Sequence, residues 1–91
     1  MALSAQVTVP TAGTAVQFAD QLIDSGLLIK ALPGNTGIMY IGNTGGNVTT
    51  TTGMPLSAGN TLTLDHIGNM SELYLNATVN GEGVAWLAMG V

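Results

Sequence analysis

The residue pair with the clearest chemical potential in this sequence is Asp65–His66, because a carboxylate next to an imidazole can orient a general base. Adjacent residues of a strand point to opposite faces of a sheet, so the two side chains are poorly placed to share one site. The sequence has no cysteine and no second histidine to complete a zinc site. None of its serines lies in a Gly-x-Ser-x-Gly context that would indicate an activated nucleophile. We therefore interpret His66 as the histidine of a turn.

The other carboxylates are dispersed along the chain. Asp20, Asp24, Glu72 and Glu82 occur singly, whereas glycosidase chemistry needs two carboxyl groups that converge in a cleft. Asp20 and Asp24 do not have the spacing of a calcium-binding EF-hand loop. We interpret all four as solvated loop carboxylates. The prediction is a protein that is not an enzyme, with no metal site and no cofactor.

Three aromatic side chains leave two interpretations open. Trp86, Tyr40 and Tyr74 could form a platform on which a sugar ring stacks, as in carbohydrate-binding modules. Alternatively, Trp86 is an anchor in the core or in a subunit interface, which is the more common role of such a residue. We favour the anchor, and keep the sugar platform as the alternative.

The scarcity of charge limits the classes of partner. Only six of the 91 residues are Lys, Arg, Asp or Glu, and 46% are hydrophobic. A single Lys with a net charge of −4 argues against binding nucleic acid, which requires a basic surface. No run of about 18 apolar residues is present, so we expect no membrane-spanning helix. A small chain with an apolar surface and no disulfide is expected to gain stability by forming a homo-oligomer.

The dominant pattern is a series of short β-prone runs separated by Gly, Pro and Asn, which predicts an all-β fold. We expect a small antiparallel β-sandwich of about six to eight short strands. Asn80-Gly81 lies between two alternating runs and predicts a hairpin that pairs residues 72–79 with residues 84–89. The segment Asp20–Asp24 could form one helical turn, and is otherwise a loop or bulge. The expected strands and strand-rich runs are residues 7–9, 14–18, 27–32, 38–41, 61–65, 72–79 and 84–89.

Alternation along the strands assigns their two faces. If Lys30 faces water, then Leu27, Ile29 and Ala31 face the core, and the same reasoning directs Met39, Ile41, Leu62, Leu64, Leu73 and Leu75 inward. The opposite face then carries Ile38, Tyr40 and Tyr74. A sheet face that carries aromatic residues usually has a neighbour, so these three are the candidate subunit interface.

Several segments together resemble a small β-sandwich module found in the virions of tailed bacteriophages. The resemblance covers roughly residues 14–89, and the order and spacing of its segments make it more specific than any one of them. The segments are Ile29-Lys30-Ala31-Leu32-Pro33-Gly34-Asn35-Thr36-Gly37, Met39-Tyr40-Ile41-Gly42, Pro55 to Asp65, Leu73-Tyr74-Leu75-Asn76-Ala77 and Gly81-Glu82-Gly83-Val84. The long Thr-rich loop 42–54 departs from the pattern.

The resemblance implies a function without catalysis. Such modules occur as capsid decoration (cement) proteins, commonly homotrimers on the capsid exterior that bind the major capsid protein, and as domains of head fibres and tail proteins. It implies a virion protein that is assembled in the host cytoplasm. We divide the chain into an N-terminal arm or edge strand, residues 1–13, and a sandwich domain, residues 14–91. Val7 and Val9 in the arm are candidates for capsid contact or strand exchange. The alternative is a tail- or fibre-associated module that binds a host surface glycan.

Overall fold

The computed structural model of the protein describes residues 2–23, 25–65 and 68–90. All pairs of strands in these ranges are antiparallel, and the one helical element there is a single 3₁₀ turn at Met70–Glu72. The predicted all-β antiparallel fold is confirmed, although the described residues form ten strands and not the expected six to eight. The strands are β1 (Leu3–Thr8), β2 (Val16–Gln17), β3 (Leu22–Ile23), β4 (Ser25–Ala31), β5 (Met39–Gly42), β6 (Met54–Leu56), β7 (Thr61–Leu64), β8 (Gly68–Asn69), β9 (Tyr74–Ala77) and β10 (Gly83–Gly90).

Two four-stranded sheets enclose one core. The main sheet has the order β1-β10-β4-β7, the second sheet has the order β2-β9-β5-β6, and β3 pairs with β8 in a separate two-stranded ladder. Alternate residues of both sheets point into the space between them, as in other sandwiches. The buried core consists of Val9, Phe18, Ile23, Leu27, Ile29, Ala31, Met39, Ile41, Leu56, Met70, Leu75, Ala77, Val84, Trp86 and Ala88.

The faces predicted from alternation are confirmed. Leu27 and Ile29 of β4, Met39 of β5 and Leu75 of β9 are fully buried. Each such side chain contributes about 1.5–3 kcal/mol through removal from water. Leu62, Leu64 and Leu73 pack against the same core while keeping part of their surface exposed. Residues 20–21 are irregular and Leu22–Ile23 form β3, so the described part of segment 20–24 contains no helical turn, and the loop alternative holds for residues 20–21.

The predicted hairpin at Asn80-Gly81 is wrong, because β9 and β10 belong to different sheets. A turn is present, and Gly81 has a φ of +80°, but Asn80 does not have a positive φ. The two-residue type I′ hairpin requires positive φ at both central residues. The Gly81 N–H instead donates to the carbonyl of Val9 at 2.7 Å, outside the predicted hairpin. The turn therefore carries the chain from the second sheet to the main sheet.

Glu82 follows this turn and holds the turn at residues 33–37 in place. Its carboxylate accepts hydrogen bonds from the Thr36 N–H at 2.6 Å, the Thr36 hydroxyl at 2.9 Å and the Gly37 N–H at 2.9 Å. Asn35 donates from Nδ2 to the Gly83 carbonyl at 2.8 Å. These hydrogen bonds join residues 81–84 to residues 29–37, two of the segments that carry the sequence resemblance. Glu82 therefore has a structural role.

The Glu82 contacts predict a pH dependence of stability. Hydrogen bonds from the backbone of Thr36 and Gly37, and then from the Thr36 hydroxyl, hold the pKa of Glu82 below its usual 4.5. A lowered folded-state pKa gives stability that is present above the unfolded pKa and is lost as the pH falls through the folded pKa. We expect Glu82→Gln to lower the melting temperature at pH 7 and to matter less in acid, when melting is followed by circular dichroism. An equal loss at every pH would contradict this account.

Candidate assembly surfaces

Among the described carboxylates, Asp20 and Glu72 meet at Asn69, whereas Glu82 binds the separate turn at residues 33–37. Asp20 accepts a hydrogen bond from Asn69 Nδ2 at 2.8 Å, and Glu72 accepts one from the Asn69 N–H at 3.3 Å, so both carboxylates stabilise the start of the 3₁₀ turn. Within residues 2–23, 25–65 and 68–90, no three His, Cys, Asp or Glu side chains lie close enough to hold a metal ion. His66 and Asp24 lie outside the described residues.

The aromatic side chains do not form an exposed platform. Trp86 is 7% exposed and Phe18 is 2% exposed, and both belong to the core. The Trp86 indole N–H has no hydrogen-bond partner among the described residues. The role of a core anchor, predicted as the more common one for Trp86, is the one that its burial supports.

Tyr40 and Tyr74 lie together on the outer face of the second sheet. Tyr40 of β5 is opposite Asn76 of β9, and Tyr74 is opposite Gly42, so the two rings occupy diagonal positions of neighbouring strands. Both side chains are half-buried, as is Ile38, which immediately precedes β5. The predicted outward orientation of Tyr40 and Tyr74 is therefore present in the fold.

The neighbour on this face is the chain itself. Residues 43–53, which we call the covering loop, fold back over β5 and β9. Asn76 Nδ2 donates to the Val48 carbonyl at 3.1 Å, and the Val48 side chain is fully buried although it does not belong to the main core. The loop backbone also approaches both tyrosines closely: Gly45 lies near Tyr74, and Gly53 lies near Tyr40. The face predicted as a subunit interface is thus largely occupied within the monomer, and its role between subunits stays a prediction.

Val7 and Val9 lie at the edge of the main sheet. Residues 3–8 form β1, which pairs with β10 over its whole length, and Val7 is opposite Val84. Val9 is fully buried, with its N–H donating to the Glu82 carbonyl at 2.9 Å. Contact of Val9 with a capsid would require β1 to leave the sheet. Strand exchange through β1 stays a prediction, and nothing in the fold marks a boundary between residues 13 and 14.

An apolar strip that the sequence reasoning missed runs along β4 and β10 on the outer face of the main sheet. Leu28 of β4 and Ala85, Leu87 and Met89 of β10 point away from the core, and Leu87 is 39% and Met89 52% exposed. A shallow depression of about 380 Å³ lies here, lined by Ser4, Leu28, Lys30, Ala85, Trp86 and Leu87. We call this surface the main-sheet outer face.

The signal for this surface is present in the sequence. Lys30 correctly identifies the outward face of β4, and Leu28 lies on that same face. The run Val84–Met89 has apolar residues at every position, inward and outward alike. Such a run is typical of a strand that is covered on both faces. In the monomer β10 is covered on one face only.

Comparison with known proteins yields a likeness of fold. No family model matches the chain, and no curated protein matches it significantly. Among solved structures, a chain from a Bacillus endospore appendage, described as belonging to a novel family of disulfide-linked pili, superimposes with a TM-score of 0.50. The two chains are 14% identical, and the match covers 100% of this chain and 87% of that chain. In the ranges that the structure describes, no helix is long and apolar enough to cross a membrane.

Proposed function

We propose that this chain is a non-enzymatic structural subunit that decorates and stabilises a phage capsid as a homo-oligomer bound to the major capsid protein. Its place would be the capsid exterior, after synthesis in the host cytoplasm. The phage assignment rests on the sequence resemblance across residues 14–89. The structural role has independent support in the surface of the monomer.

The observation that carries the structural role is the contiguous group of apolar side chains on the main-sheet outer face. Leu87 and Met89 lie on the main-sheet outer face, Met54 on the edge strand β6, Val79 in the turn after β9, and Leu22 in β3. Single exposed apolar residues such as Met54, Val79 and Leu22 are normal on a monomer. Leu87 and Met89, with Leu28 beside them, form the kind of contiguous apolar surface that marks contact with other molecules. A subunit held in a lattice needs more than one contact, to its own copies and to the shell.

The fold likeness is compatible with a structural role. The absence of cysteine limits the kinds of bond that could hold an assembly of this chain together. The similar chain is named as part of disulfide-linked pili, whereas the present sequence contains no cysteine. Any assembly formed by this chain is therefore held by non-covalent contacts or by bonds other than disulfides. The homotrimer stays a prediction of the sequence resemblance.

The glycan-binding alternative has less support. A sugar-binding platform would place aromatic rings in solvent with amide or carboxyl groups beside them. Trp86 lies in the core, and the covering loop lies over Tyr40 and Tyr74. A glycan site would have to be built without stacking on an exposed ring.

Addition of the purified protein to heads of the parent phage assembled without it tests the proposal. We expect saturable binding and a higher temperature of genome release, because a ligand that binds only the assembled shell stabilises it by mass action. Binding should change little between low and high salt, since one Lys supplies few charge pairs. Absence of binding, or binding with no rise in release temperature, would contradict cementing.

A further inference from the structure

We propose that the main-sheet outer face is a self-association surface, on which a second copy of this chain packs face to face. The two copies are related by a two-fold axis that lies between the two sheets, parallel to both of them and perpendicular to their strands. The inference rests on the homo-oligomeric part of the proposed function and not on capsid attachment. It assigns the contact to a surface other than Ile38, Tyr40 and Tyr74.

The register of the main sheet arranges the outward residues in three rows. The middle row is Ser4, Leu87, Leu28 and Thr63 on β1, β10, β4 and β7. One flanking row is Gln6, Ala85, Lys30 and Thr61. In the other, the same register sets Met89 beside Gly26, whose N–H donates to the Asp65 carbonyl at 3.2 Å. Asp65 directly follows Leu64, the last residue of β7, and is exposed at this corner of the sheet.

A two-fold axis over the middle row makes the apolar residues complementary in size. The axis places Leu28 against its own counterpart and Leu87 against its own counterpart. It exchanges the two flanking rows, so that Ala85 of one copy lies opposite Met89 of the other. A small residue thus meets a long one, as the close packing of two sheets about 10 Å apart requires.

The same axis makes the charges complementary. Lys30 of one copy lies opposite Gly26 of the other, which has no side chain of its own and is bordered by the Met89 side chain of the same copy. Asp65 of that copy follows β7, which lies beside β4 at the usual strand separation of about 4.8 Å. At that distance it is within reach of the Lys30 ammonium group. Each interface then contains two Lys30–Asp65 pairs. This arrangement supplies a partner for the only Lys or Arg of the sequence, whose burial without a carboxylate would be costly.

Sedimentation over a wide concentration range measures the contact. We expect Leu87→Asp to raise the dissociation constant of the dimer at least about tenfold, because it places a carboxylate in the centre of an apolar contact. Thr50→Asp is the matched control, since Thr50 is exposed in the covering loop and receives the same charge. Circular dichroism of each variant reports whether the sandwich is still folded. Unchanged association of folded Leu87→Asp would overturn the proposal.

The charge pair supplies a test that does not depend on Leu87. Lys30→Glu alone and Asp65→Lys alone should each weaken dimerisation about three- to tenfold, because each turns two attractive pairs into repulsive ones. The double variant should recover much of the loss. An equimolar mixture of the two single variants should form heterodimers, since both cross pairs are then attractive. A mixture that associates no better than the separate variants would overturn the proposed axis.

The outcome separates this contact from capsid attachment. A chain that stabilises heads but remains monomeric at every concentration overturns the self-association surface and the homo-oligomeric part of the proposed function, and supports capsid binding. A dimer that depends on Leu87 and on the Lys30–Asp65 pair, without affinity for heads, supports the contact and rejects the capsid role. A trimer that is insensitive to Leu87→Asp overturns the two-fold contact.

Discussion

Replacement of Gly83 by alanine should destabilise the protein by at least about 3 kcal/mol, within the range of severe single substitutions. Gly83 is the first residue of β10 and is opposite Thr8 of β1. A Cβ atom added at Gly83 would overlap the carbonyl oxygen of Val7 and lie 2.8 Å from the Thr8 Cα. Both obstacles belong to the backbone of the neighbouring strand and cannot move aside by a rotamer change.

The displacement of β1 has consequences beyond its own hydrogen bonds. Val9, which follows β1, is fully buried in the shared core, and Val7 packs against that core. Gly83 also accepts from the Leu32 N–H at 3.1 Å and from Asn35, so the turn at residues 33–37 would be disturbed as well. We therefore expect the whole sandwich to unfold cooperatively, and not only β1 to detach from the main sheet.

Urea unfolding followed by circular dichroism measures the effect, with Gly34→Ala as the control. Gly34 lies in a turn, where an added Cβ meets no atom within 4 Å and no positive φ is required. Alanine there should be neutral or stabilising by about 0.4–1 kcal/mol, because it restricts the unfolded chain. Equal stabilities of the two variants would contradict the close approach of β1 to β10.

The core could be predicted from the sequence because alternation is a local property. Once Lys30 fixes one face of β4, Leu27, Ile29 and Ala31 must occupy the other, whatever strands lie beside it. The same reasoning correctly directs Met39 and Leu75 inward. The fold class follows from the length and spacing of such runs, and for that reason it was predictable.

The pairing of strands could not be predicted, because it depends on contacts between distant parts of the chain. Asn80-Gly81 indicates a reversal of chain direction, and the chain does turn there. Whether the next strand returns to the same sheet depends on Val9, some seventy residues earlier, whose carbonyl binds the Gly81 N–H. A local turn signal holds no information about that partner.

The assembly surfaces show the same limit. Tyr40 and Tyr74 face outward as predicted, but their neighbour in the monomer is the covering loop, which has no strand pattern from which its packing could be predicted. Val48 is one apolar residue in a stretch of Gly, Asn and Thr, and its burial depends on where residues 43–53 fold. The main-sheet outer face, in contrast, has a local signal. Alternation assigns one face of β4 and β10 to the core, and the apolar residues Leu28, Leu87 and Met89 then lie on the other face.

Gly42 is the last residue of β5 and directly precedes the covering loop. We expect Gly42→Ala to detach residues 43–53 from the second sheet and to leave the sandwich folded. A Cβ at Gly42 would lie 2.5 Å from the Asn47 carbonyl oxygen and 2.9 Å from the Val48 Cβ. The first obstacle is loop backbone, and the second is a fully buried side chain, so the loop must move. The cost should be about 1–3 kcal/mol, as for other overpacked sites.

Hydrogen exchange distinguishes loop release from general unfolding. Amides of residues 43–53 should exchange faster in Gly42→Ala, while those of β4 and β10 keep their protection, because local opening does not require the core to open. Gly46→Ala is the control, since Gly46 lies in the same loop and an added Cβ meets no atom within 4 Å. Equal exchange in the two variants would contradict the packing of the loop on β5.

Release of the loop also tests which surface joins subunits. In the native chain the covering loop lies over Tyr40 and Tyr74, and the main-sheet outer face is open. If self-association uses the open face, Gly42→Ala should retain the native association and add a second, weaker one through the newly exposed tyrosines. Tyr74→Asp in the Gly42→Ala background should then remove only the added association, because a charge on that apolar face opposes contact. If Tyr74→Asp instead abolishes all association, the tyrosine face joins the subunits, and the loop regulates access to it.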